Sequence, residues 1–267
     1  MWFSAQIRFQ IMSFTVSVQP SNKQFSAADD ATILESALGQ GVVLPYGCKN
    51  GVCGSCKAKV LDGRVRQGPH APAALAAEEA GRGFALMCCS HAESDLTIEA
   101  RVVIVDEIQI RKMPCRVASI ARVAPDVAIL KLQLPANERL KYLAGQFVEL
   151  ILRDGTRRSY SMAGAPDAAE QIELHVRHMP GGKFTDHVFG AMKERDILRM
   201  EGPFGSFFLR EDSVRPMILL ASGTGFAPIK AIIEQMQHKG ITRPTVLYWG
   251  GRRPQDLYQH RWCEQAA

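Results

Sequence analysis

The chain has 267 residues, of which 46% are hydrophobic, and a formal net charge of +5. No apolar run approaches the ~20 residues that a membrane-spanning helix needs, and no basic stripe interleaved with aromatic residues indicates nucleic-acid binding. The length, together with 7 cysteines and no secretory signal, favours a globular cytoplasmic protein of two or three domains that binds neither nucleic acid nor a membrane.

The N-terminal part of the sequence predicts short strands around a helix. Residues 1–11 are expected to form an irregular tail, and Met12 is a candidate natural start because a clean strand pattern follows it. Alternating apolar residues and turn signals predict strands at 13–19, 22–27, 57–63, 84–88 and 96–103. Helices are predicted at 33–38, with Asp29, Asp30 or Thr32 as N-cap, and in the alanine-rich stretch 72–80. A connector over 104–111 leads to the next unit.

The cysteines follow a metal-binding spacing. Cys48, Cys53 and Cys56 form C-x4-C-x2-C, and Cys88 lies further along the chain. Such a spacing is typical of a plant-type [2Fe–2S] centre, whereas zinc would favour two C-x2-C pairs. The alternative is a set of free cysteines in a loop. The spacing therefore predicts a [2Fe–2S] cluster.

The order of strands, helix and cysteine loop over residues 12–103 resembles the β-grasp fold of plant-type ferredoxins. The resemblance implies that the last ligand lies seven residues before an aspartate. Counting back from Asp95 gives Cys88 rather than the adjacent Cys89. Because neighbours on a strand point to opposite faces, we expect only one of this pair to face the cluster.

Residues 112–211 contain short strands with regular turn signals, which predict a small antiparallel barrel. Within it, Arg158, Ser159, Tyr160 and Ser161 match the R-x-Y-S motif, which resembles that of the ferredoxin–NADP reductase superfamily, whose barrel binds FAD. The resemblance implies that Arg158 pairs with the FAD pyrophosphate, that Tyr160 covers the flavin ring, and that Ser161 lies near flavin N5. The alternative is an exposed polar strand end.

Two further stretches of this domain resemble the family's FAD site. They contain His175, Val176 and Arg177 in a predicted strand, then Gly181, Gly182 and Thr185 in a loop that opens a helix. In the family, such a loop presents backbone N–H groups to the pyrophosphate, as helix N-termini bind anions. Turn chemistry alone is the alternative explanation of the glycines.

Residues 215–267 begin as a dinucleotide-binding unit. The apolar run 217–221 predicts a buried parallel strand, followed by a turn, a helix at 229–236 and a second strand at 245–250. The turn contains Gly223, Thr224 and Gly225, with Pro228 at the start of the helix. It resembles the nicotinamide-binding G-x-G-x-x-P of the same superfamily, which implies NADH or NADPH without favouring either. The family continues beyond one βαβ unit, so we expect a C-terminally truncated domain.

These patterns predict a multi-domain α/β protein: a β-grasp [2Fe–2S] ferredoxin domain, an antiparallel FAD-binding barrel and a partial Rossmann-like NAD(P)-binding domain. With the stretches 45–51, 112–116 and 220–230, this order resembles the single-chain reductases of the bacterial CDP-6-deoxy-Δ3,4-glucoseen reductase-like group. The resemblance implies that electrons pass from NAD(P)H through FAD and the cluster to an iron–sulfur dehydrase or oxygenase component. No side chain is required as a general base. Two alternatives stay open: a truncated, non-enzymatic electron carrier, and a flavin-dependent reductase of quinones or oxygen.

Overall fold

The computed structural model of the protein describes residues 12–102, 108–166 and 171–267. The chain divides into two compact units, one up to residue 106 and one from residue 107 onward. The tail predicted at 1–11 lies outside the described residues, as do positions 103–107, which include the end of the last predicted ferredoxin strand and half of the predicted connector. In the described part of the chain, no helix has the length and apolar character that crossing a bilayer requires.

The N-terminal unit is an α/β domain with a mixed sheet. Its elements are, in chain order, β1 (Ser13–Gln19), β2 (Lys23–Ala28), α1 (Ile33–Gly39), β3 (Lys57–Asp62), β4 (Val65–Gln67), α2 (Ala77–Gly81), β5 (Phe84–Leu86), β6 (Ser90–Ala92) and β7 (Leu96–Glu99). The main sheet has the order β2-β1-β7-β3-β5, and β4 pairs separately with β6. Strands β1 and β7 are parallel, whereas the other pairs are antiparallel. The cysteine loop connects α1 to β3, so both ends of this loop are anchored in regular structure.

Helix α1 begins directly after Thr32, which caps its N-terminus. Of the three candidate caps, the structure uses Thr32, whose Oγ1 accepts from the Glu35 amide at 3.2 Å. Glu35 Oε2 in turn accepts from the Thr32 amide at 3.0 Å, which completes a capping box. Ile33, Leu34 and Ala37 are buried, so this short helix is held by its cap and by one apolar face.

Three predicted elements of this unit were wrong in extent. The strand predicted at 96–103 ends at Glu99, since residues 100–102 are not part of a strand. Helix α2 begins at Ala77 rather than at 72, because Ala74 and Leu75 are buried in a turn that precedes it. Strand β5 ends at Leu86, since residues 87–89 form a turn in which the Cys89 amide donates to the Leu86 carbonyl at 2.9 Å. The premise that the two adjacent cysteines lie on a strand is therefore incorrect.

The C-terminal unit begins with an antiparallel sheet. Its elements are β8 (Arg111–Ala124), β9 (Val127–Gln133), β10 (Phe147–Ile151), β11 (Arg157–Ser161), β12 (Gln171–Arg177), α3 (Lys183–Phe189), β13 (Ile197–Phe204), β14 (Met217–Ser222), α4 (Phe226–Lys239), β15 (Thr245–Gly250) and α5 (His260–Ala266). Six strands form one sheet in the order β11-β10-β13-β8-β9-β12. A bridge between Met162 and Leu174 joins the two ends of this sheet. The sheet thus curls around a core that includes Leu130, Val148 and Met200, as the predicted antiparallel barrel requires.

The segment that is predicted to bind a dinucleotide packs within the same unit. Strands β14 and β15 are parallel, as predicted, and the buried face of α4 packs on one side of them. The prediction that the strand at 217–221 is buried was wrong, because its other face carries Ile218 and Leu220, which are 68% and 71% exposed. Helix α4 begins at Phe226, three residues earlier than predicted, directly after the 3-10 turn Gly223–Gly225. Pro228 lies in the first turn of α4, where a missing N–H costs no helical hydrogen bond. The turn and the helix therefore form one continuous element.

Candidate cofactor sites

The cysteine loop gathers its sulfurs in two pairs. Cys56 Sγ and Cys88 Sγ lie 3.2 Å apart and are buried. In the second pair, the Cys53 amide donates to Cys48 Sγ at 3.3 Å and the Cys48 amide donates to Cys53 Sγ at 3.4 Å. Within the described ranges, no three or more His, Cys, Asp or Glu side chains converge as ligands of a single metal ion. Four thiolates in two pairs nevertheless have the donor chemistry of a centre with two irons, so the residues present fit a [2Fe–2S] cluster.

Backbone and hydroxyl groups surround the outer pair of sulfurs. The Val52 amide donates to Cys48 Sγ at 3.4 Å, and Ser55 Oγ lies 3.3 Å from Cys53 Sγ. Burial opposes ionisation of Cys53, but the bonds from Cys48 and Ser55 outweigh it, and the pKa of this thiol is lowered. The surroundings of Cys53 therefore favour the thiolate, which is the form that binds iron, whereas Cys88 and burial raise the pKa of Cys56.

Both Cys88 and Cys89 lie close to the loop. Their sulfurs are 3.5 Å apart, because the turn at 87–89 does not send neighbours to opposite faces as a strand would. Cys89 Sγ packs against Gly51, where an added Cβ would lie 2.7 Å from the sulfur. Burial, together with Cys88, raises the pKa of Cys89 to about 12. The assignment of Cys88 as the ligand remains a prediction, supported by its contact with Cys56.

A pocket of about 490 Å³ lies in the C-terminal unit, where β11, β12, the start of α3 and the turn before α4 converge. Its lining residues are Arg158, Tyr160, Ser161, His175, Arg177, Met179, Gly182, Phe184, Thr185, Thr224, Gly225 and Ala227. The R-x-Y-S motif and the glycine turn are thus brought to one cavity, although they are far apart in sequence. Its size and mixed lining suit part of a dinucleotide cofactor.

Several predicted residues do not line this pocket. Val176 is fully buried in the barrel core, because strand alternation turns it away from its neighbours His175 and Arg177. Ser159, Gly181, Gly223 and Pro228 are also absent from the lining. Conversely, Met179, Phe184 and Ala227 line the pocket without having been predicted. All three are apolar: Phe184 and Ala227 occupy unspecified positions of the two glycine motifs and Met179 precedes one of them, so the motifs did not identify them.

Along β11, Arg158 and Tyr160 line the pocket, whereas Arg157 pairs with carboxylates of the barrel. The Tyr160 ring packs on Phe184 with centroids 5.3 Å apart, and burial raises the pKa of Tyr160 to about 12, which keeps the phenol protonated. Arg157 is instead held by two carboxylates, at 2.8 Å from Glu149 and 2.6 Å from Glu201. Arg158 lines the pocket and remains exposed, so its guanidinium is placed to meet an anion there.

The loop before α3 is closed by its own polar groups. Thr185 Oγ1 donates to the Met179 carbonyl at 2.8 Å. The amide of Gly181 donates to Asp186 Oδ2 at 3.0 Å, and that of Gly182 to the Met179 carbonyl at 2.8 Å. The two amides that the resemblance assigns to the pyrophosphate are therefore engaged within the loop. A phosphate at this position would have to compete with these bonds.

Arg177 lies against the glycine turn. Gly223 has φ +52°, and an added Cβ would lie 2.8 Å from Arg177 Nη1, so only glycine allows this approach. Asp126 lies 3.1 Å from Arg177 Nε. Even so, Nε and Nη2 are buried and form no well-directed hydrogen bond within the described residues. Its Nη2 lies 3.8 Å from Asp256 Oδ2 and the side chain is 26% exposed, so this partly buried guanidinium lines the pocket with a donor that fits a cofactor phosphate.

His175 is the most enclosed polar residue of the pocket wall. Its Nε2 lies 3.0 Å from Glu173 Oε1, and its Nδ1 lies 2.7 Å from the Tyr258 hydroxyl. Burial lowers the pKa of His175, which favours the neutral ring. The contact with Tyr258 was missed from the sequence, because no motif relates residues so far apart in the chain.

Comparison with known proteins gives the same order of domains. The family described as 2Fe-2S iron-sulfur cluster binding domain matches residues 16–93. The families described as Oxidoreductase FAD-binding domain and Oxidoreductase NAD-binding domain match residues 114–209 and 219–267. Each of the three predicted cofactor-binding regions is therefore matched by a domain family for that cofactor.

Known reductases match this chain over most of its length. The CDP-6-deoxy-L-threo-D-glycero-4-hexulose-3-dehydrase reductase of Yersinia pseudotuberculosis is 42% identical over 240 residues, covering 90% of this chain and 72% of the relative. The terephthalate 1,2-dioxygenase reductase component 1 of Comamonas is 38% identical over 248 residues, covering 92% of this chain and 73% of the relative. The crystal structure of the Amycolatopsis cytochrome P450 reductase GcoB matches with a TM-score of 0.70 and 35% identity, covering 95% of this chain and 77% of that one.

Proposed function

The chain belongs to the family of single-chain reductases that join a [2Fe–2S] ferredoxin domain to FAD-binding and NAD-binding domains, and we propose that it passes electrons from a reduced nicotinamide dinucleotide to a partner enzyme. When bound, FAD accepts two electrons as a hydride and returns them one at a time, and the cluster carries single electrons. The observation that supports this function most strongly is the common pocket of the R-x-Y-S residues and the glycine turn. A flavin and a nicotinamide must meet for hydride transfer.

The side chains supply binding and orientation. We assign the cluster to Cys48, Cys53, Cys56 and Cys88, whose sulfurs lie in two pairs. In the pocket, we assign Arg158 and Arg177 to phosphate groups of FAD. Tyr160, backed by Phe184, would cover the flavin ring and exclude water from one of its faces.

Ser161 and the glycine turn lie on the nicotinamide side of the proposed reaction. Ser161 lines the pocket beside Tyr160, which supports its assignment near flavin N5. Thr224 and Gly225 line the same pocket at the start of α4, whose N-terminal amides and dipole favour a phosphate. No general base is assigned, because hydride and electron transfer do not require one from the protein.

The electron acceptor is proposed to be an iron–sulfur dehydrase or an oxygenase component. The names of the relatives support both classes, since one is a dehydrase reductase and another a dioxygenase reductase. Val52 is 60% exposed in the cysteine loop, so this part of the loop surface is open to a partner. We also propose a cytoplasmic location, because the 7 cysteines form no disulfide and four of them are assigned to the cluster, which suits a reducing compartment.

Anaerobic stopped-flow spectroscopy tests the function. The cofactor-loaded chain is mixed with NADH or NADPH, and flavin and cluster absorbance are followed separately. We expect flavin bleaching first and cluster bleaching second. A dehydrase for a CDP-linked hexulose and a terephthalate dioxygenase component are then added in turn, and the competent partner should reoxidise the cluster.

The outcomes separate this function from its alternatives. A chain whose cluster accepts electrons only from a chemical reductant, and never from NADH or NADPH, would be an electron carrier. A chain that reduces quinones or oxygen at full rate after loss of the cluster would be a flavin-dependent reductase. Either result would contradict the proposed route.

A further inference from the structure

A buried cluster of charges joins the barrel to helix α4. Lys230 is only 6% exposed, and its Nζ lies 3.2 Å from Glu173 Oε1 on β12. The same ammonium donates to the Ala163 carbonyl at 3.3 Å and to Glu234, one turn further along α4. Glu234 Oε2 accepts from the Ala165 amide at 3.1 Å. Lys230 and Glu234 thus hold both a strand and a loop of the barrel from one face of α4.

This cluster extends to the pocket wall. Glu173 Oε1 lies 3.0 Å from His175 Nε2 as well as near Lys230, and the other ring nitrogen of His175 lies 2.7 Å from the Tyr258 hydroxyl. Because a carboxylate only accepts hydrogen bonds, Nε2 of the neutral ring must donate, and Nδ1 accepts from Tyr258. His175 lines the pocket, so a chain of polar contacts runs from α4 to the flavin site.

The glycine turn is continuous with α4. The turn Gly223–Gly225 runs directly into Phe226, whose ring stacks on Trp249 with centroids 3.9 Å apart. Trp249 Nε1 donates to the Gly223 carbonyl at 3.0 Å. Turn, helix and β15 are therefore tied into one body, and the contacts of Lys230 and Glu234 fix that body on the barrel.

Burying such charges is costly, and it gives little net stability compared with apolar packing. An apolar side chain at position 230 would fill the same space without specifying a single arrangement of the two surfaces. The benefit of an ammonium that meets three oxygens is directional, because it sets the position of α4 relative to β12. Hydride transfer depends on such positioning, since a displacement of about 1 Å can slow a reaction a hundredfold.

We propose that Lys230 is a positioning residue that fixes the nicotinamide-binding turn relative to the flavin pocket. The proposal rests on the proposed function, in which the nicotinamide is oxidised by loss of a hydride and the flavin is reduced by two electrons. In this proposal, Lys230 contacts neither the nicotinamide nor the flavin. It acts through Glu173, Glu234 and the 163–165 loop.

The test compares Lys230→Met with Lys239→Met. Lys239 is on the same helix, but its partner Glu211 lies at 2.8 Å in an exposed pair, so it serves as a matched control. Hydrogen exchange is measured first, without nicotinamide. We expect the Ala165 amide and the turn 223–225 to exchange at least tenfold faster in Lys230→Met and at the wild-type rate in Lys239→Met.

Stopped-flow reduction by NADH or NADPH is the second readout. We expect the limiting rate of flavin reduction to fall at least tenfold in Lys230→Met, whereas the Kd of FAD and the nicotinamide concentration at half-maximal rate stay within threefold. If Lys230→Met does not fold, Lys230→Met/Glu173→Gln removes the charges of Lys230 and Glu173 together and carries the same expectations.

Wild-type exchange and wild-type reduction in the folded variant would overturn the positioning role. A wild-type protein that neither NADH nor NADPH reduces would contradict the proposed function instead. In that case, the exchange rates alone decide the role of Lys230: faster exchange supports it, and unchanged exchange overturns it.

Discussion

Two glycines show how single atoms shape the cofactor sites. Gly51 leaves space for Cys89 Sγ, which would lie 2.7 Å from an added Cβ. Gly223 does the same for the Arg177 guanidinium, at 2.8 Å. Both have positive φ, so an alanine would face backbone strain as well as a collision. At each site, glycine lets the backbone approach a neighbouring side chain more closely than a Cβ would allow.

The adjacent cysteines give the first prediction. We expect Cys88→Ser to lose the [2Fe–2S] cluster, because Cys88 Sγ lies 3.2 Å from Cys56 Sγ and completes the buried pair. Cys89→Ser should keep the cluster, since its sulfur packs on Gly51 instead. Visible absorbance and the EPR signal of the reduced protein measure the outcome. A cluster that survives in Cys88→Ser and is lost in Cys89→Ser would reverse the ligand assignment.

The alternation along β11 gives the second prediction. Arg158→Ala should weaken FAD binding at least tenfold, because losing a charge-assisted hydrogen bond costs about 1.5–3 kcal/mol. Arg157→Ala is the matched control: it removes a neighbouring guanidinium that pairs with Glu149 and Glu201 and does not line the pocket. Its FAD affinity should be unchanged, although its stability should fall. Equal FAD affinity in Arg158→Ala and the wild type, measured by equilibrium dialysis, would contradict the assignment.

Among the helices and strands, the predictions were most accurate where interactions between residues close in the chain determine the structure. The cap of α1, the parallel pair β14 and β15, and the order of the three cofactor-binding regions were all confirmed. The start of α2 was wrong, because Ala74 and Leu75 favour a helix locally but are buried as a turn by tertiary packing. The turn at 87–89 was missed for the same reason.

The residues of the candidate site also fall into two groups: those that a local motif predicts and those that depend on tertiary packing. Motif residues such as Arg158 and Gly225 converge on the pocket, because each motif is a local solution for holding a cofactor group. The contacts among Glu173, Lys230 and Tyr258 could not be predicted. They depend on how α4 lies against β12, and no local pattern in the sequence encodes that arrangement.

Helix α1 gives a prediction at the scale of one element. Thr32→Ala should lower the free energy of unfolding of the N-terminal unit by about 1 kcal/mol, because it removes the oxygen that accepts from the Glu35 amide. Thr32→Ser keeps that oxygen and should cost much less. Urea unfolding, followed by loss of the cluster absorbance, measures both. Equal midpoints for the alanine and serine variants would show that the cap contributes little.

The molecule as a whole separates its chemistry between two compact units. The cysteine loop belongs to the N-terminal unit, and the pocket and the glycine turn belong to the C-terminal unit. Only the C-terminal unit contains the buried cluster of Glu173, His175 and Lys230. The pH dependence of stability should therefore differ between the units.

The sign of that dependence follows from two groups. Burial lowers the pKa of His175 below its ordinary value of about 6.5. For Glu173, burial acts in the opposite direction, but the contacts with His175 and Lys230 outweigh it and lower the pKa to about 2. In both cases, the unfolded chain binds a proton that the folded chain does not. Acid therefore destabilises the C-terminal unit, beginning near pH 6.5 through His175 and continuing from about pH 4.5 to 2 through Glu173.

We expect the urea midpoint of the C-terminal unit to be lower at pH 5 than at pH 7.5, and His175→Gln to reduce this difference. Tryptophan fluorescence in a Trp2→Phe background reports on this unit, because Trp249 and Trp262 then remain and both contact Phe226. His260→Gln is the matched control, since His260 is exposed and its loss should leave the difference between the two pH values unchanged. If His175→Gln loses as much stability between pH 7.5 and pH 5 as the unchanged chain does, a group other than the buried imidazole takes up the proton, and the neutral state assigned to His175 is wrong.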